Sequence, residues 1–265
     1  MDINESTVLN DNQLNDNHCM LNDVFDKIYI IHCAENTERM KNIEYQIEKN
    51  NLNADIFWAC YHPYSYICMN SLLLANKASH ADNGSEFNLT RNFYTIIKTS
   101  YLRGFERILI FEDDFSLLKN DILNDFIEHI PNDFDIIQFS QLFKRDMYNA
   151  AKIQKEYEND NYFIKAPFGA WSNNGLALSR KGMKYFIDCI DNEFMAADYP
   201  IFESTNKYDF YGNTLKSNLN HYFPTVPIVY LDKRFDSHVQ QEDKKELYEL
   251  YDSLNKDFYN LICEE

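Results

Sequence analysis

The run Arg107-Ile-Leu-Ile-Phe-Glu-Asp-Asp114 constrains this chain more than any other stretch. Ile108 to Phe111 are continuously apolar, the composition of a strand buried on both faces of a parallel sheet. The strand ends on three consecutive carboxylates, which repel one another and are costly to bury without partners. In open α/β sheets, ligands gather outside the carboxyl ends of the strands, where Glu112, Asp113 and Asp114 would stand. A hard cation such as Mn²⁺ or Mg²⁺ is held by one or two carboxylates, with substrate phosphates and water completing its shell. The plainer alternative is a solvated turn in which Asp114 or Ser116 caps the next helix.

The flanking chain reads as an α/β domain over residues 25–240. Lys27–Ile31 is a strand, and Met40, Ile43 and Ile47 mark a helix that begins near Thr37 and ends at Asn50-Asn51. Ala54–Ala59 is a second strand, completing a unit of the kind that builds parallel sheets. Leu89, Phe93, Ile96 and Tyr101 give a helix stopped by Gly104. Beyond the acids, Leu118, Ile122, Phe126 and Ile130 predict another helix, then Asp135–Phe139 a buried strand. Tyr162–Lys165 and Leu176–Ser179 are short strands, Ser179 caps a helix carrying Met183, Phe186 and Ile190, and Pro224–Tyr230 is a last strand. The expected fold is a mostly parallel central sheet flanked by helices, in a single domain. Residues 1–24 read as a mobile or irregular tail. Residues 241–265 read as an amphipathic helix that packs on the domain or on a second copy, which would make a homo-oligomer.

Charge narrows the partners. A net charge of −17 repels nucleic acid and anionic lipid headgroups. A nucleotide diphosphate would need a cation or a local basic group to bind here. No apolar run reaches the roughly 18 residues of a membrane span, and the N-terminus lacks a signal-peptide pattern. The 6 cysteines form no CxxC pair, which points to reduced thiols and a cytoplasmic location.

Several blocks, in their order, match a known pattern: Lys27-Ile-Tyr-Ile-Ile31 with Glu38-Arg39-Met40, Ile108-Leu-Ile-Phe-Glu-Asp-Asp114, Gly175-Leu-Ala-Leu-Ser-Arg-Lys-Gly182 and Ala197-Asp-Tyr-Pro200. Over about residues 25–240 the chain resembles glycosyltransferase family 25, the lipooligosaccharide and collagen galactosyltransferase-like enzymes. That resemblance implies a GT-A fold and an Mn²⁺-dependent, inverting transfer of a hexose, galactose or glucose, from a UDP-sugar to a saccharide or glycoconjugate acceptor, as in polysaccharide biosynthesis. It makes Glu112-Asp113-Asp114 a DxD-type motif, with Asp114 the direct metal ligand, Asp113 or Glu112 turned to the ribose or the metal shell, and Arg39 near the nucleotide. His32-Cys33 and Gly84–Arg91 depart from the family's usual residues at those places.

Sugar transfer also needs a base for the acceptor hydroxyl, and Asp198, ahead of Tyr199-Pro200, is the candidate. The alternative for Asp198 is an ordinary capping or surface acid. His238 is a candidate metal ligand, with Lys233 and Arg234 as candidate phosphate partners, and His32 a candidate nucleotide contact. In the unusual run Phe168-Gly-Ala-Trp-Ser-Asn-Asn174, Trp171 and Asn174 are candidates for sugar contact, against the alternative of an aromatic plug. Competing functions are a retaining transferase, a non-catalytic nucleotide- or saccharide-binding relative, and a metal-dependent nucleotide hydrolase.

Overall fold

The apolar runs become strands in a seven-stranded sheet. A computed structural model describes residues 19–59, 84–140, 162–166, 172–204, 218–225 and 228–231. The main sheet comprises β1 (Lys27–His32), β2 (Ala54–Trp58), β3 (Arg107–Glu112), β5 (Ile136–Gln138), β6 (Phe163–Lys165), β7 (Leu176–Ser179) and β8 (His221–Pro224), in the order β2-β1-β3-β7-β5-β8-β6. β4 (Phe115–Leu117) and β9 (Val229–Leu231) pair separately. β1 is parallel to both β2 and β3, and β5 is parallel to β8; β7 lies antiparallel between β3 and β5, and β6 antiparallel on β8. Five strands therefore run one way and two, β6 and β7, the other. The expected α/β architecture, a mostly parallel sheet between helices in a single domain, is the one observed.

The helices are α1 (Leu21–Val24), α2 (Thr37–Asn50), α3 (Gly84–Arg103), α4 (Asn120–Glu128), α5 (Arg180–Asn192) and α6 (Asp198–Glu203). Strand alternation assigns them to two faces. Leu109 and Phe111 of β3 enter one core with Ile43 of α2 and Leu123 and Phe126 of α4. Ile108 and Ile110 enter the other with Phe93 of α3, Met183 and Phe186 of α5 and Ile201 of α6. All four β3 residues are fully buried, as a strand covered on both faces requires.

Three expectations need correction. Residues 19–24 are not an irregular tail: Leu21–Val24 form α1, and Cys19 and Leu21 are buried in the first core. Ser116 does not cap a helix, because Phe115–Leu117 instead pairs with β9 in the register Ser116↔Tyr230 while Phe115 stacks on Phe111 at 4.6 Å. The single strand expected at Pro224–Tyr230 is two, β8 on the main sheet and β9 on β4. The helix expected at 241–265 and the stretches 60–83 and 141–161 lie outside the described residues.

The Ser179-Arg-Lys-Gly182 block joins β7 to α5 and is structural. The Ser179 hydroxyl oxygen accepts from Gly182 N at 3.2 Å, capping α5 as expected. Arg180 donates to the Tyr101 carbonyl oxygen at 3.0 Å and lies over the Tyr101 ring. Lys181 donates to Asp135 Oδ2 at 2.7 Å. Gly182 is forced by contact, since a Cβ there would fall 2.0 Å from the Asp135 carbonyl oxygen. Gly182→Ala should therefore cost about 3 kcal/mol and lower Tm by roughly 6–12 °C. A thermal melt unchanged from wild type would show that α5 shifts away at no cost.

Candidate active site

Glu112 ends β3, and Asp113 and Asp114 occupy the turn from there into β4. Asp113 is the buried one and is bound on both sides. Its Oδ2 meets Nδ1 of His32, the last residue of β1, at 2.9 Å, and accepts weakly from Cys33 N at 3.4 Å. Its Oδ1 accepts from Arg39 in the first turn of α2. The same Arg39 Nη1 lies 3.6 Å from Asp114 Oδ2. On the other side Asn174, just before β7, donates from Nδ2 to Asp114 Oδ1 at 2.9 Å. The Asn174 Oδ1 accepts from Glu112 N at 3.1 Å. One amide thus fixes both the strand end and the side chain of Asp114.

Among the described residues this end of the sheet is rich in carboxylates. Burial, followed by the charges of Asp114, Asp198 and Asp113, holds Glu112 well above the usual carboxylate range, with Arg39 pulling the other way. Asp198 opens α6 close enough to Glu112 to be felt there. Burial, then the charge of Glu86, pushes its carboxyl up to about 6. Glu86 lies in the first turn of α3, where an acid suits the positive helix end. Among the described residues five acidic side chains (Glu86, Glu112, Asp113, Asp114, Asp198) act on one another here, and Arg39 is engaged by Asp113 and lies 3.6 Å from Asp114.

His32, Arg39, Glu112, Asp113, Asp114, Asn174 and Asp198 are therefore gathered at one end of the sheet, from segments far apart in the chain. Trp171, His238, Lys233 and Arg234 lie outside the described residues. Asp113 differs from its expected place among metal ligands, because both its oxygens are turned to protein donors. Among the described residues no group of three His, Cys, Asp or Glu side chains converges on a point that could hold a metal. The donor chemistry still fits a hard cation with few protein ligands: Glu112 and Asp114 are oxygen donors in a region of surplus negative charge.

Sequence reasoning missed Glu86 and two further residues. Trp58 ends β2, is 55% exposed, and sets its ring 5.5 Å from that of His32. A large aromatic at the carboxyl end of a strand beside the acids was the available signal. Asn173 lies within the Phe168–Asn174 run read for sugar contact, but that reading named Trp171 and Asn174 and not Asn173. A cavity of about 630 Å³ lies elsewhere, lined by Tyr101, Arg180, Lys181 and Lys184. It sits near the start of β3, since Arg107 pairs with Ser179, and so at the end opposite the acids. Its lysines are paired with acids, Lys184 with Asp188 and Lys181 with Asp135, while Arg180 is held by the Tyr101 carbonyl oxygen and ring.

No protein-family model and no curated protein sequence matches the chain. Among solved structures it is similar to A197 from STIV, at a TM-score of 0.38 and 7% identity, covering 82% of this chain and 99% of that one. It is also similar to the glycosyltransferase GlyE of Streptococcus pneumoniae, at 0.36 and 11%, covering 89% of this chain and 64% of GlyE. The galactosyltransferase LgtC gives 0.36 and 10%, covering 86% and 95%. At TM-scores of this size the likenesses assign neither activity nor ligand to this chain. Among the described residues no helix is long and apolar enough to cross a membrane.

Proposed function

We propose that this chain is a GT-A-like, metal-dependent inverting glycosyltransferase that moves a hexose, galactose or glucose, from a UDP-sugar to a saccharide or glycoconjugate acceptor. The carrying observation is the pairing of an over-acidic strand end with a desolvated Asp198 whose carboxyl sits at about 6. A carboxylate pushed up by burial is a better base near neutral pH than one in water.

In this reading Asp198 accepts the proton of the acceptor hydroxyl as its oxygen bonds to the sugar's anomeric carbon. The bond from that carbon to the diphosphate breaks, and its electron pair leaves with UDP. A single displacement of this kind inverts the anomeric carbon. Asp114 and Glu112 would hold a divalent cation together with diphosphate oxygens, and what that cation supplies is neutralisation of the departing charge. Asn174 keeps Asp114 oriented, and Arg39 and His32 keep Asp113 in place. Trp58 offers an aromatic face beside His32 for the nucleobase or ribose.

One observation favours a rival, the non-catalytic nucleotide- or saccharide-binding relative: no three ligating side chains converge among the described residues. The two readings separate in one assay. With UDP-galactose and UDP-glucose, the enzyme reading expects UDP release that EDTA abolishes and Mn²⁺ restores. UDP binding without release of UDP from either sugar would favour the rival. A retained anomeric configuration in the product would overturn the inverting step alone.

A further inference from the structure

Among the described residues one buried amide, next in the chain to the Asn174 that holds the acids, has neither of its polar atoms hydrogen-bonded. Asn173 is 1% exposed, yet neither its Nδ2 nor its Oδ1 has a hydrogen-bond partner. Buried amides nearby are engaged: Asn42 donates to the Phe115 carbonyl oxygen at 2.8 Å, and Asn174 links Glu112 to Asp114. The neighbours of Asn173 fix its backbone on both sides. The Ser172 carbonyl oxygen accepts from Gln138 Nε2 at 2.7 Å, and Gly175 N donates to the Ile110 carbonyl oxygen at 3.1 Å. That frame is held in uncommon geometry. Ser172 has φ 152°, and Gly175 has φ +77° with a Cβ position only 2.8 Å from Val229 Cγ2. Buried polar groups without partners are rare in folded chains and call for an explanation such as a ligand.

We propose that Asn173 binds a hydroxyl group of the transferred hexose, its amide N–H donating and its amide oxygen accepting. This rests on the glycosyltransferase reading above and names the part of the donor that Asn173 contacts. The open atoms select the class of ligand. A phosphate offers only acceptors to the amide and leaves Oδ1 unmet, while a cation leaves Nδ2 unmet. A hydroxyl both donates and accepts, and so satisfies the two ends of one amide or of adjacent hydroxyls. The acids around Asn174 also repel an anion at this position.

The test is calorimetric titration of wild type, Asn173→Leu and Asn173→Ala with UDP, UDP-glucose and UDP-galactose in the presence of Mn²⁺. Leu has the same branching as Asn, with somewhat more bulk and no polar atoms. Wild type is expected to bind one UDP-hexose more tightly than UDP. Both variants should weaken that UDP-hexose roughly tenfold or more and leave UDP unchanged. Asn173→Leu should also raise the Tm of the free protein, since it removes an unmet polar group. Variants that keep the wild-type ratio of UDP-hexose to UDP affinity overturn the role of Asn173 alone, as does a wild type that binds neither hexose more tightly than UDP. A wild type that binds no UDP at all overturns the glycosyltransferase reading and this inference with it. If Asn173→Leu does not fold, Asn173→Ala carries the same affinity comparison.

Discussion

Asp198→Asn is expected to lower the rate of sugar transfer by roughly 10²–10⁴-fold while leaving UDP binding intact, the loss that follows removal of a positioned base. In wild type the same group should set the acid limb of the pH profile. Its carboxyl lies at about 6, so below that pH it is protonated and cannot take the acceptor's proton. kcat/KM should then rise with pH through about 6 and level above it, and the variant should lack this limb. The stability effect has the opposite sign. Because the folded carboxyl is raised above its unfolded value, ionising it destabilises the fold. Wild type therefore loses stability as pH rises from about 4 through 6. Asp198→Asn should melt higher than wild type at pH 8 and nearly alike at pH 4. A variant with wild-type turnover, or one less stable at pH 8, would remove Asp198 from the mechanism.

Arg39→Leu is expected to be among the most destabilising single changes at the site. Arg39 and Asp113 form an ion pair whose side chains are 11% and 8% exposed. Removing the guanidinium leaves Asp113 buried with His32 and the Cys33 amide as its partners in the described structure, and Asp114 loses its nearest cation. Breaking one side of a buried pair costs about 3–5 kcal/mol, a fall in Tm of roughly 6–20 °C. The double replacement Arg39→Leu with Asp113→Leu should recover much of that loss, because an apolar pair leaves no uncompensated charge. Chemical denaturation of the two variants checks both statements. A single variant as stable as wild type would mean that the Arg39–Asp113 pair adds nothing net to the stability of the fold.

What the sequence reveals here follows the range of the interactions. The strand at Arg107–Phe111 and the helix from Ser179 are legible because their apolar spacing and cap are local. The β4–β9 ladder is not, because Phe115 finds Leu231 more than a hundred residues away and its own apolar neighbours fit a helix equally well. The acids are legible as a group at a strand end. Their division of labour is not, because what separates Asp113 from Asp114 is His32 arriving from β1 and Arg39 from α2 on the one, and Asn174 on the other. The Ser179–Gly182 block shows the converse. It is conspicuous in sequence, yet it serves to lock α5 against Asp135 at the end of the sheet remote from the acids. Asn173 is legible only as a member of the Phe168–Asn174 run, since the lack of partners that distinguishes it from Asn174 shows only in the structure.

The central claim is that the acidic end of β3 binds a nucleotide diphosphate through a divalent cation. Titration of UDP into the protein with Mn²⁺, with EDTA, and with Mn²⁺ in Asp114→Asn tests it most directly. The account predicts binding with Mn²⁺ that EDTA abolishes and that Asp114→Asn weakens at least tenfold, in line with loss of a charged partner. Equal binding in all three conditions, or none in any, would contradict it.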